Sequence, residues 1–91
     1  PYIFGNPNIS KFLNLKNIIH ESQISYNQIE NIFFYKSKRW DLELKNNIIL
    51  KLPETNIKVS LDIANKFLKD KHFINDKIID LRINNQIIVN D

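Results

Sequence analysis

The chain has 91 residues, 43% of them apolar and 25% charged, with a net charge of +3; that is enough for one domain with a real core and too little for two. Its thirteen cations are eleven lysines and two arginines, too diffuse for the dense basic stripe of a strong nucleic-acid binder. A single glycine, Gly5, and no cysteine exclude a glycine-rich phosphate loop, a glycine oxyanion turn, thiolate metal sites, catalytic thiols and disulfides. No apolar run approaches the roughly 20 residues of a membrane span. The first residue is Pro1 rather than methionine, so the chain is expected to be a piece of a longer protein.

Pro1-Tyr2-Ile3-Phe4-Gly5 is a short apolar run ended by glycine, and Asn6-Pro7-Asn8 can cap a helix. Ile9, Phe12, Leu13, Ile18 and Ile19 recur near helical spacing, predicting an amphipathic helix from 9 to about 20. Residues 21–28 are polar and irregular. Ile29 to Tyr35 has the β-branched and aromatic composition of a strand.

Trp40, Leu42 and Leu44 alternate with Arg39, Asp41, Glu43 and Lys45, the pattern of a half-buried strand, and Ile48, Leu50 and Leu52 mark its return. A two-residue loop at Asn46-Asn47 would set Leu42 against Lys51 and mix the faces. A three-residue loop, Lys45-Asn46-Asn47, sets Leu44 against Ile48, Leu42 against Leu50 and Trp40 against Leu52, with Asp41 against Lys51 on the outer face; alternation selects this register. Such loops end on a left-handed residue, so Asn47 is predicted at positive φ.

Pro53-Glu54-Thr55-Asn56 stops the strand and caps a second helix over 57–70. Ile57, Leu61, Ala64 and Leu68 share one face with Phe67 beside it, while Lys58, Asp62, Lys66 and Lys69 lie mostly opposite. Asn75-Asp76 punctuates the chain, after which Ile79, Leu81 and Ile83 alternate with Asp80 and Arg82 as a further strand. A turn at Asn84-Asn85-Gln86 leads to Ile87-Ile88-Val89, with Ile83 predicted to pair with Ile87 and Leu81 with Val89. The whole reads as an α+β fold: a mostly antiparallel (mixed) sheet of about five strands, two helices packed on one face, and one parallel crossover between Leu52 and Lys77.

Catalytic and metal-binding constellations are thin. His20 and His72 lie far apart with no acidic ligand at close spacing, the pattern of exposed or core-edge histidines rather than of a metal site. The serines have no glycine elbow. Asp41, Glu43 and Asp80 fall on outward faces, where solvated carboxylates are ordinary; nothing here points to an enzyme. A nucleic-acid reading would start at Lys36, Lys38, Arg39 and Trp40, but Trp40 is in phase with the core residues Leu42 and Leu44. Burial of Trp40 would favour a structural role, and exposure beside the lysines would favour nucleic acid.

The last segment, Gln86-Ile87-Ile88-Val89-Asn90-Asp91, is expected at the sheet edge and lacks the lysine, proline or glycine that usually guards one. An unprotected edge is either covered by further chain or made to receive another strand.

Arg39-Trp40-Asp41-Leu42-Glu43-Leu44, then Asn46-Asn47 and Ile49-Leu50-Lys51-Leu52-Pro53-Glu54, an amphipathic helix, and Ile79-Asp80-Leu81-Arg82, together resemble the C-terminal periplasmic β-domain of the bacterial cell-division family FtsQ (DivIB). On that resemblance residues 1–8 are the end of the linker leaving a POTRA domain and 9–91 are the β-domain. Members often have glycine where Asn47 stands. The resemblance implies a non-catalytic scaffold of the division machinery with no cofactor, from a single-pass inner-membrane protein whose periplasmic part binds FtsB and FtsL. It further implies that the partner adds as a strand at the C-terminal sheet edge, through Arg82, Ile83, Gln86, Ile87, Ile88, Val89 and Asn90. Trp40, Leu42, Leu44, Asn47, Leu50, Leu52 and Leu81 are structural on this reading, and Arg82 is the charged anchor.

Overall fold

The first helix starts where the sequence offers a cap: the Asn8 side-chain carbonyl accepts the Lys11 backbone N–H at 2.8 Å, satisfying one of the four orphan donors of a helix N-terminus. In the computed structural model, which describes residues 1–70, 77–83 and 87–90, this helix, α1, spans Ile9–Glu21 and the second, α2, spans Ile57–Leu68. The strands are β1 (Tyr2–Phe4), β2 (Ile29–Phe34), β3 (Trp40–Leu44), β4 (Ile49–Lys51), β5 (Ile78–Asp80) and β6 (Ile88–Asn90). They form one six-stranded sheet in chain order, β1 through β6. The pairs β1–β2 and β4–β5 are parallel and each is bridged by a helix, while β2–β3, β3–β4 and β5–β6 are antiparallel. The expected α+β mixed sheet is present, larger by the strand β1.

Side-chain alternation organises the core. Ile32, Leu42, Leu50 and Ile79 stand in register across β2 to β5 and are completely buried. Leu15 and Ile19 of α1 and Leu61 and Ala64 of α2 join them in one cluster. The buried stripe of α1 runs through Phe12, Leu15 and Ile19, with Ile18 at its flank. Ile9 and Leu13 are exposed, so the stripe is rotated from the predicted one by the inclusion of Leu15. The C-terminal end of α1 is tied to α2 by the Gln23 N–H, which donates to Asp62 Oδ1 at 2.9 Å. Asp62 is also bound by Lys58 Nζ at 3.0 Å, and that hydrogen bond is the first cause holding its carboxyl below the usual range.

The β3–β4 hairpin has the predicted three-residue register: Leu42 pairs with Leu50 and Asp41 with Lys51. Leu44 N–H donates to Ile48 O (2.7 Å) and Leu52 N–H to Trp40 O (3.0 Å). Asn47 has φ of 60°, the left-handed residue this loop requires. Asn47→Ala, which cannot relieve that conformation, should cost about 1 kcal/mol while Asn47→Gly costs nothing; urea midpoints of the two variants test this.

Other expectations require correction. The β5–β6 register is displaced by two residues: Val89 pairs with Ile79, not Leu81, and Ile88 pairs with Asp80. Arg82 explains the displacement. Its backbone N–H donates to Asp80 Oδ1 at 3.1 Å, a local turn that takes Arg82 and Ile83 out of the ladder, so β5 ends at Asp80. The two-residue slip keeps every side chain on its face, so hydrophobic matching could not detect it. Helix α2 ends at Leu68 rather than residue 70. Its N-cap Asn56 takes a left-handed conformation (φ 57°) and makes no side-chain cap hydrogen bond. Glu30 falls at a register irregularity in β2–β3. Asn75, Asp76, His72 and the turn Asn84-Asn85-Gln86 lie outside the described residues.

Candidate partner-binding edge

Strand β6 is last in the sheet order and, among the described residues, pairs with β5 alone. Backbone alternation decides which of its groups face outward. Ile49 N–H donates to Lys77 O (2.9 Å) and Leu81 N–H donates to Lys51 O (2.9 Å). The odd-numbered residues of this stretch therefore bond toward β4, and Ile78 and Asp80 turn their backbone groups toward β6. They meet Asn90 and Ile88 respectively, which leaves the N–H and C=O of Val89 directed at the free edge. Among the described residues no strand takes them.

The side chains around this rung are apolar and accessible. Ile83 is 52% exposed, and Ile87, Ile88 and Val89 are exposed as well. Ile88 and Asn90 lie on the outer sheet face with Asp80 and Ile78, and Val89 lies on the face of Ile79. Arg82 is exposed but held: Nε donates to Asp80 Oδ1 at 2.8 Å and Nη2 to Asp80 Oδ2 at 2.6 Å. The Arg82 hydrogen bonds are the main reason the Asp80 carboxyl lies below its usual range, and in turn the guanidinium is pushed up. The structure thus brings Arg82, Ile83, Ile87, Ile88, Val89 and Asn90 to one end and edge of the sheet, while Gln86 and Asp91 lie outside the described residues.

Leu42, Leu44, Leu50, Leu52 and Leu81 are buried. Trp40 is 6% exposed, with its ring 4.6 Å from that of Phe34, so it is not presented for base stacking. The basic turn beside it is exposed at Lys36, Ser37 and Lys38, but Arg39 is turned back onto Asp41 (3.2 Å) and lies over the Tyr35 ring at 4.7 Å.

Asp41 is the residue that alternation misjudged. It is on the outer face as predicted but only 4% exposed, because Arg39 covers and neutralises it. The tyrosine hydroxyl nearby is pushed up, first by burial and then by the Asp41 charge. The i, i+2 spacing of Arg39 and Asp41 on one strand face was the available signal.

Among the described residues no group of three acidic or histidine side chains gathers to hold a metal, and no helix is long and apolar enough to cross a membrane. The domain is α+β, with the centre of one sheet face packed under both helices and an apolar strand, β6, last in the sheet order. The family model for the C-terminal region of cell division protein FtsQ/DivIB matches residues 1–82. The chain belongs to that family, a family of membrane-anchored, non-enzymatic cell-division scaffolds, and it has a role in cell division. The match runs through β5 to Arg82, and β6 follows it. No curated protein and no solved structure matches the chain.

Proposed function

We propose that this domain is a non-catalytic scaffold that takes a partner of the division machinery by strand addition along β6. The FtsB C-terminal segment is the strand that docks, within an assembly that also contains FtsL. The reading includes a periplasmic location for the domain, anchored through a membrane helix upstream. The observation that carries it is the outward-facing backbone rung at Val89, set in the apolar surface of Ile83, Ile87 and Ile88 and unguarded by lysine or proline. Asn90 belongs to the docking line, and the reading includes Gln86, which lies outside the described residues. Arg82 contributes a charged contact to an acidic residue of the incoming segment. Exposed ion pairs contribute about 0–1 kcal/mol, so backbone hydrogen bonds and apolar contact dominate.

Titration of the chain with an FtsB C-terminal peptide from the same source, followed by amide NMR, tests this. Expected are saturable shifts at Ile87, Val89 and Asn90 and at Arg82. Val89→Pro removes the outward donor and should abolish those shifts, because proline cannot enter a ladder that needs its N–H. Arg82→Ala should weaken binding only about fivefold or less. No shifts at millimolar peptide would refute strand addition at this edge. A single-stranded oligonucleotide serves as the control; tight, steeply salt-dependent binding at Lys36 to Trp40 would favour the nucleic-acid reading instead.

A further inference from the structure

The sheet has a second margin, at β1, and backbone alternation again decides which groups are free there. Tyr35 N–H donates to Arg39 O at 3.0 Å. The odd-numbered residues of β2 therefore bond toward β3, and Ile32 and Phe34 turn toward β1. In the parallel ladder Ile32 stands beside Ile3 and bonds to Tyr2 and Phe4, which leaves the N–H and C=O of Ile3 directed outward. Among the described residues no strand takes them.

This margin is apolar on both faces. On the outer face Tyr2 is 74% and Phe4 49% exposed, and the Phe4 ring stacks on Phe33 at 5.1 Å. On the helix face Ile3 is exposed in line with buried Ile32. One flank of α1 is spent inward, with Lys11 over the Phe34 ring and Ile18 packed on the core. Ile9 and Leu13 lie one turn apart on the opposite flank, which stands toward β1, and both are exposed. None of these side chains carries a charge, so the margin selects by shape rather than by sign.

A three-residue edge strand restricts what fits it. Its outward rung is Ile3, so an antiparallel strand using both groups must centre a rung of its own there. A second copy of β1 does this across a two-fold axis: Ile3 N–H donates to Ile3 O of the second copy, and reciprocally. That register sets Tyr2 against Phe4 of the second copy and Phe4 against its Tyr2, at the close, non-hydrogen-bonded positions. The Phe33–Phe4 stack gains a third ring on each side. Strand β6 of another copy would offer Ile88 and Asn90 to those rings instead, and would propagate as an open fibre rather than close.

We propose that the β1 margin is a self-association surface, where two copies of this chain pair antiparallel at Ile3 into one continuous sheet held by Tyr2–Phe4 aromatic pairs. The exposed side chains offer on the order of 500 Å² per copy, short of the about 800 Å² of a standard interface. The dimer is accordingly weak and forms where copies are held close together. It does not use the β6 edge, which stays free at both outer margins.

The test is sedimentation velocity of the 91-residue chain from about 20 μM to about 1 mM, beside nuclear Overhauser spectra of a mixed labelled and unlabelled sample. Expected are a mass-action rise toward dimer and intermolecular contacts between the Tyr2 and Phe4 rings. Ile3→Pro removes the outward donor, a change that an edge strand tolerates, and should abolish the dimer. Tyr2→Glu, at an exposed position, sets a carboxylate against a ring face and should weaken association about tenfold; it carries the test if the proline variant does not fold. A chain that stays monomeric at about 1 mM, or association that survives Tyr2→Glu, would overturn the assignment. Val89→Pro should leave the dimer intact, and its loss there would place self-association at β6, so failure of one edge can be told from failure of the other.

Discussion

Leu50→Ala should lower the stability of the domain by about 3 kcal/mol. Leu50 is completely buried and stands between Leu42 and Ile79 in the cross-strand row that both helices cover. Truncation removes apolar contact with both neighbouring strands. The cavity cannot collapse readily, because β4 is pinned on both sides by the β3 and β5 ladders. For a domain of this size the loss corresponds to a fall in Tm of about 12–24 °C. Thermal unfolding followed by far-ultraviolet circular dichroism measures it. Val59→Ala, at an exposed position of α2, is the control and should change Tm by little. A Leu50→Ala shift as small as the control would mean that the row is not the centre of the core.

Gly5→Ala should cost about 2–4 kcal/mol or detach β1, whichever is cheaper. Gly5 has φ of +99°, and an added Cβ would sit 2.2 Å from the Phe34 carbonyl oxygen, a backbone atom that cannot swing aside. The strain falls where β1 leaves its parallel pairing with β2, whose last paired residues are Phe4 and Phe33. Because β1 is a three-residue edge strand with exposed side chains, releasing it caps the cost. The informative readout is therefore amide exchange at Tyr2–Phe4 alongside Tm. Protection that survives the substitution would show that the close approach at Phe34 is relieved by some other movement.

How much of this was legible in the sequence follows from what parity can and cannot encode. The β3–β4 hairpin could be placed to the residue because a one-residue slip would have put Lys51 against Leu42, and Asn47 then had to be left-handed. The β5–β6 register could not, because a slip of two keeps Ile79 and Val89 on the buried side and the deciding contact is the Asp80–Arg82 turn. Strand β1 was invisible as a strand: three residues carry no periodicity, and its partner lies beyond a whole helix. Leu15 was overlooked because α1 has apolar residues at 9, 12, 13, 15, 18 and 19, more than one stripe can use, and only packing against α2 and the sheet selects among them. The edge itself was legible from composition, from three consecutive β-branched residues with no guard. Which of its backbone groups face outward was not, because that depends on the register. Arg39 and Arg82 are separated by more than forty positions, and only the sheet order brings them to one end of the sheet.

The strictly sequential order of the strands has a mechanical consequence. Tyr2 and Asn90 stand in the same cross-strand row at opposite margins of the sheet. Five strand spacings separate these margins, about 24 Å. A tether entering at β1 and a load hung on β6 would therefore pull along the row, parallel to the interstrand hydrogen bonds, and those bonds would be stressed one after another rather than together. Under tension such a sheet unzips from its margins at low force, and the Leu42–Leu50–Ile79 centre is reached last.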